Sequence, residues 1–220
     1  MSSSFFVLLK TTKNRLLFFT LFSILLICIT HRTHGMYPMT KNSLYSKLAS
    51  LGKTDICSVT VSPKAYSGSL KKLLKVTLIK KDHAAVYISL NKPCSSIMSL
   101  RESLKISEER LHVLDATGGM VPKKKPNRCS FTSSGVRSLT ELSIAITKAI
   151  NSGKYSVVIL DSVSTLRVYH SPEVIEKFIH FLVTKLRQLA LGGVLIAVTD
   201  SQTKDMIPVI SQFCDVSIEL

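Results

Sequence analysis

Short apolar runs rich in β-branched residues recur along this chain, and a helically spaced stretch or a polar turn separates each from the next. Ile56 to Val61 (ICSVTV), Ala84 to Leu90 (AAVYISL), Leu111 to Leu114 (LHVL), Tyr155 to Leu160 (YSVVIL) and Val194 to Thr199 (VLIAVT) read as strands, with Val216 to Leu220 as a final edge strand. Leu70 to Lys80, Ser95 to Leu104, Ser138 to Ile150 and Pro172 to Leu191 read as helices. The longest of these has Ser171 at its N-cap and Pro172 in its first turn, and Gly192-Gly193 is predicted to end it. A strand with one wet face alternates apolar and polar residues, whereas a near-continuous apolar run is covered on both faces. The pattern therefore predicts an α/β fold, with a mostly parallel central sheet and helices on both faces.

With 220 residues, 45% of them hydrophobic, the chain can bury a full single-domain core. Its formal charge of +15 comes from 29 Lys+Arg against 14 Asp+Glu. Such an excess favours nucleic acid, anionic lipid or an acidic protein as partner, and it equally fits a solvated lysine-rich surface. The cysteines (Cys28, Cys57, Cys94, Cys129, Cys214) are odd in number and form no C-x-x-C pair. That spacing predicts reduced thiols in a cytoplasmic protein, not a disulfide framework. The histidines lack ligand spacing, so no metal site is expected.

The chain divides into a hydrophobic leader (1–38), a polar lead-in (39–54) and a domain (55–220). Leu16 to Thr30 carries no charge and follows Lys10, Lys13 and Arg15, the layout of a signal anchor. As a helix it would span about 22 Å, short of the ~30 Å hydrocarbon core. Three readings stay open: residues 16–30 anchor a cytoplasmic domain to the membrane, translation starts at Met36 or Met39 and the leader is an over-extended reading frame, or, least favoured for want of an A-x-A site, the leader is a cleaved secretion signal.

Strand ends carry the chemistry of such sheets, because ligands bind beyond their carboxyl ends. Val157 to Leu160 leads into Asp161, a strand-end carboxylate of the kind that holds Mg²⁺ in Walker B motifs. The segment YSVVILDSVSTLRVYHSPEVIEKFIHFLVTKLRQLALGGVLIAV resembles the second half of RecA/RadA/KaiC-like ATPase domains. AAVYISLNKP, RLHVLDATGG and SFTSSGVRSLTELSIAI precede it in the order expected of that group, and they are most similar to its divergent members with signalling roles. The resemblance spans about Asp55 to Leu220. It implies a RecA-like three-layer domain, an ancestral Mg·ATP site, and assembly by stacking of subunits.

Against that family the phosphate loop is altered. Where G-x-x-x-x-G-K-[ST] is expected stands Ser62-Pro63-Lys64-Ala65-Tyr66-Ser67-Gly68-Ser69. Ser62 and Ser67 replace both glycines and Gly68 takes the lysine position, while Ser69 keeps the Mg²⁺-facing hydroxyl and Lys64 is a substitute cation within the loop. The family's water-activating glutamate after the second strand is also missing, from Leu90-Asn91-Lys92-Pro93. No catalytic residue is expected, and ATP with Mg²⁺ is left a degraded site of Ser69, Asp161 and Lys64. Gly52-Lys53-Thr54 imitates the tail of the motif but precedes a strand instead of a helix.

The irregular stretch Ala116 to Gly135 holds Lys123, Lys124, Lys125 and Arg128, a candidate surface for DNA or a protein partner against the plainer reading of a solvated loop. Together these features predict a non-catalytic RecA/KaiC-like regulatory or interaction module in signalling, working through a protein partner or self-association. A weak ATP-binding protein or slow ATPase, and a basic DNA-binding accessory protein in recombination or repair, are the alternatives.

Overall fold

Seven parallel strands form one sheet in the order β4-β3-β2-β5-β6-β1-β7. They are β1 (Ile56–Val61), β2 (Ala85–Ser89), β3 (Leu111–Asp115), β4 (Cys129–Phe131), β5 (Val157–Asp161), β6 (Gly192–Val198) and β7 (Val216–Glu219). All six neighbouring pairs run parallel. The computed structural model describes residues 44–119, 121–123, 126–200 and 203–220. The leader 1–38, with the anchor reading of residues 16–30, and Lys124 and Lys125 lie outside the described residues.

The continuous apolar runs have the cause expected of them. Along β2, Ala85 and Tyr87 join one core cluster while Val86 and Ile88 join the other, and β5 repeats this with Val157 and Ile159 against Val158 and Leu160. One cluster is covered by α1 (Leu44–Ser50), α2 (Tyr66–Leu74, continued by a π-helical segment, Lys75–Lys80) and α3 (Cys94–Ser103). The other lies under α4 (Leu139–Asn151), α5 (Val163–Leu166), α6 (Pro172–Gln188) and α7 (Met206–Ser211). Each fully buried Leu or Ile contributes about 1.5–3 kcal/mol. The α6 face of Ile175, Phe178, Ile179, Leu182, Val183 and Leu186 is therefore among the main attachments of helix to sheet.

Four details depart from the expectation. The polar lead-in contains α1, which buries Leu44 and Leu48. The irregular stretch 116–135 contains β4, paired to β3 through Val113 and Cys129. Gly192 and Gly193 do not end α6; Ala190, at φ 52, turns the chain, and both glycines lie in β6. A Cβ on Gly192 would meet the Lys53 carbonyl oxygen at 2.7 Å, so that glycine serves close packing.

The fourth departure concerns the cysteines. Cys94 and Cys129 form a disulfide with Cα atoms 6.4 Å apart, which corrects the expectation of reduced thiols throughout. Their sequence separation of 35 gave no local signal; adjacency comes from α3 starting beside the sheet edge where β4 is added. Cys57 and Cys214 are free. No described helix is long and apolar enough to cross a membrane.

Candidate functional site

Asp161 ends β5 between β2 and β6, at the carboxyl edge where the parallel sheet collects its strand ends. It is 0% exposed. Its Oδ2 accepts a hydrogen bond from the Tyr66 hydroxyl at 2.5 Å and another from the Tyr87 hydroxyl, while Oδ1 is buried without a hydrogen-bond partner. Burial pushes the Asp161 carboxyl above the usual range, and the two tyrosine hydrogen bonds and the Lys92 charge oppose that shift. Both tyrosine hydroxyls are pushed up, by burial first and then by the Asp161 charge.

Each tyrosine is placed by its element. Tyr87 is the inward residue of β2 beside Ile159 of β5, two positions before the end of the strand. Tyr66 opens α2, directly after a tight turn that follows β1. In that turn the amides of Ala65 and Tyr66 both donate to the Ser62 carbonyl at 3.0 Å. These two amides, inside the segment that the resemblance matches to a phosphate loop, are thus committed to the chain itself. The helix begins within the segment expected to be loop, so Ser67, Gly68 and Ser69 are helical.

Of the residues expected to hold nucleotide, Asp161 and Ser69 lie near the same stretch of core, but nothing joins them. Ser69 borders a cavity of about 10 Å³ with Val59, Val61, Tyr66, Leu70, Leu73 and Ile196. A nucleotide needs a cleft of several hundred Å³. Lys64 is exposed in the turn. The cation at the site is Lys92, whose ammonium stands 4.4 Å from the centre of the Tyr66 ring. Lys92 occupies the segment after β2 where the family resemblance implies a water-activating glutamate, and its carbonyl accepts from Ser89 Oγ at 2.5 Å.

Mg·ATP does not fit these groups. Oδ2 of Asp161 is taken by two phenols, the Ala65, Tyr66 and Ser69 amides are bonded within the chain, and Tyr66 fills the space beside the acid. Among the described residues no cluster of ligating side chains suits a metal ion. Lys123 and Arg128 are exposed in the β3–β4 loop, and the strands β3 and β2 separate that edge from β5. They are not part of the Asp161 site. His170 is held to the Val136 carbonyl through Nε2 at 2.7 Å, a loop anchor away from the acid.

Sequence reading overlooked Tyr66, Tyr87 and Lys92. A signal for one existed: a tyrosine inside a strand covered on both faces must find an acceptor for its hydroxyl, and Asp161 is a strand-end acid of the same sheet.

A family model described as "Family of unknown function (DUF7504)" matches residues 80–220. The chain belongs to DUF7504. The matched span holds Tyr87, Lys92 and Asp161, and β1 with the Ser62–Ser69 segment lies before it. No curated protein matches the sequence. Among solved structures, this DUF7504 member is similar to a KaiC-like protein from the hyperthermophilic archaeon Pyrococcus horikoshii OT3, with a TM-score of 0.55 and 10% identity over 76% of this chain and 73% of that one. At that identity the likeness establishes the fold, which is a RecA-like α/β domain.

Proposed function

We propose that the domain is a non-catalytic RecA/KaiC-like regulatory or interaction module whose ancestral nucleotide site is closed from within. The supporting observation is the Tyr66–Asp161–Tyr87 cluster: the strand-end acid is a buried acceptor for two phenols instead of a ligand facing solvent. Missing phosphate-loop glycines and lysine, and the absence of a carboxylate in the segment after β2, point the same way. The altered motif is thus read as a degenerate Walker A loop that has become the first turn of a helix. A signalling role in the cytoplasm through a protein partner or self-association is the extension of this reading, drawn from the family resemblance.

Calorimetric titration of the full chain with Mg·ATP, with phosphate release followed in parallel, tests it. The expected result is no saturable heat and no phosphate. Saturable binding that disappears in Asp161→Asn would overturn the proposal and make the closed site a nucleotide sensor. Released phosphate would make it an enzyme.

A further inference from the structure

Between Asp55 and Asp82 the chain holds six lysines (Lys64, Lys71, Lys72, Lys75, Lys80, Lys81) and no acid. The structure sorts them. Leu70, Leu73, Leu74, Val76 and Leu78 turn into the core, and the outer face of α2 and its π-helical continuation presents Lys71, Lys72, Lys75 and Lys80, all exposed. Lys80 also stacks its ammonium 4.2 Å from the Tyr45 ring of α1. Ion pairs among the described residues are Arg101–Glu102, Arg110–Asp82 and Arg187–Asp215, so none of these lysines has an acidic partner. A helix face with several uncompensated cations carries a repulsive charge that an anionic surface relieves.

We infer that this lysine face docks the domain on a lipid bilayer with anionic headgroups. Two features favour a bilayer over a nucleic acid. Ile79 sits on the same face at 46% exposure, an apolar tip among cations that suits a headgroup boundary. α2 and its continuation carry no arginine for bidentate contact with bases, and the ring beside the lysines, Tyr45 of α1, is half-buried and covered by the Lys80 ammonium. The order of the chain adds a third argument. The apolar run 16–30 ends fourteen residues before Leu44, a reach of about 48 Å at full extension. The helix that starts there, α1, packs against α2 and its continuation, the elements that bear the lysines. This inference is independent of whether the Asp161 site binds nucleotide.

Flotation of the full chain with vesicles tests it, comparing pure phosphatidylcholine with phosphatidylcholine containing about a third phosphatidylglycerol. Wild type is expected to prefer the anionic vesicles, and to lose that preference as salt shortens the screening length to a few ångströms. At about a factor of five per lysine, Lys71→Gln/Lys72→Gln/Lys75→Gln lowers partition onto anionic vesicles roughly a hundredfold and leaves binding to neutral vesicles unchanged. The charge-preserving Lys71→Arg/Lys72→Arg/Lys75→Arg variant keeps the preference, which separates lost charge from lost folding. Equal binding of wild type to both vesicle types overturns the inference. So does a glutamine variant that binds like wild type while its circular dichroism is native. Retention of a short DNA duplex by wild type, lost in the glutamine variant, with no vesicle preference, would overturn it in favour of a nucleic-acid surface.

Discussion

Asp161 is a buried strand-end carboxylate that accepts hydrogen bonds from two phenols, and its titration should report that environment. Burial raises the folded-state pKa, while the unfolded chain has an ordinary carboxyl. Between those two values the native state binds more protons than the unfolded state, so stability falls as pH rises through the interval. The interval starts at the ordinary aspartate range and extends upward. Urea unfolding of wild type and Asp161→Asn from about pH 5 to about pH 8 should therefore show wild type losing stability relative to the variant as pH increases. A difference that does not change with pH would mean that the site does not hold the proton. The acid itself was legible as a strand-end residue. Its partners were not, because Tyr66 is 95 residues away and meets it only when α2 starts early over the edge of the sheet.

Most elements can be read from apolar period alone, and the exceptions have distinct physical reasons. The three-residue strand β4 has no run to detect, and it exists because β3 offers an unpaired edge and the disulfide holds Cys129 there. Nearby, Gly118 (φ 74) and Gly135 (φ 58) meet back to back, and a Cβ on Gly135 would come within 2.5 Å of the Gly118 amide nitrogen. The loop between them is thus closed at its base by glycine contact and braced by the disulfide. The N-terminus of α3 is tied in as well, with the Cys94 amide donating to Asp115 Oδ2 at 2.7 Å. Cross-linking residues 35 apart removes about 4 kcal/mol of unfolded-state entropy. Cys94→Ser is accordingly expected to lower unfolding free energy by about 4 kcal/mol in non-reducing urea titrations, and added dithiothreitol should lower wild type to the same level. Unchanged stability in the variant would show that the bond does not form.

Across the whole molecule, the same chain places its thiols in three environments, and counting them checks the fold at once. Burial raises Cys57 to about 12, helped by Cys214 and Asp55, and raises Cys214 to about 11. Neither supplies thiolate near neutral pH. With Cys28→Ser, an Ellman-type reagent should find no fast-reacting thiol in the native state, two in denaturant, and four in denaturant after reduction (five cysteines less Cys28, with two in the disulfide). Four without reduction would remove the disulfide from the fold. The sequence by itself determined the parallel α/β class, the doubly covered strands and the four long helices, because burial on both faces demands uninterrupted apolar runs and helices repeat every 3.6 residues. The basic excess was equally plain in composition. Only the tertiary structure decided that lysines gather on one helix face, that Cys94 meets Cys129, and that two tyrosines close over Asp161. The last two are meetings of residues far apart in the chain, about which chain spacing carries no information until strands and helices are packed, and the lysine face follows from which side of α2 is buried.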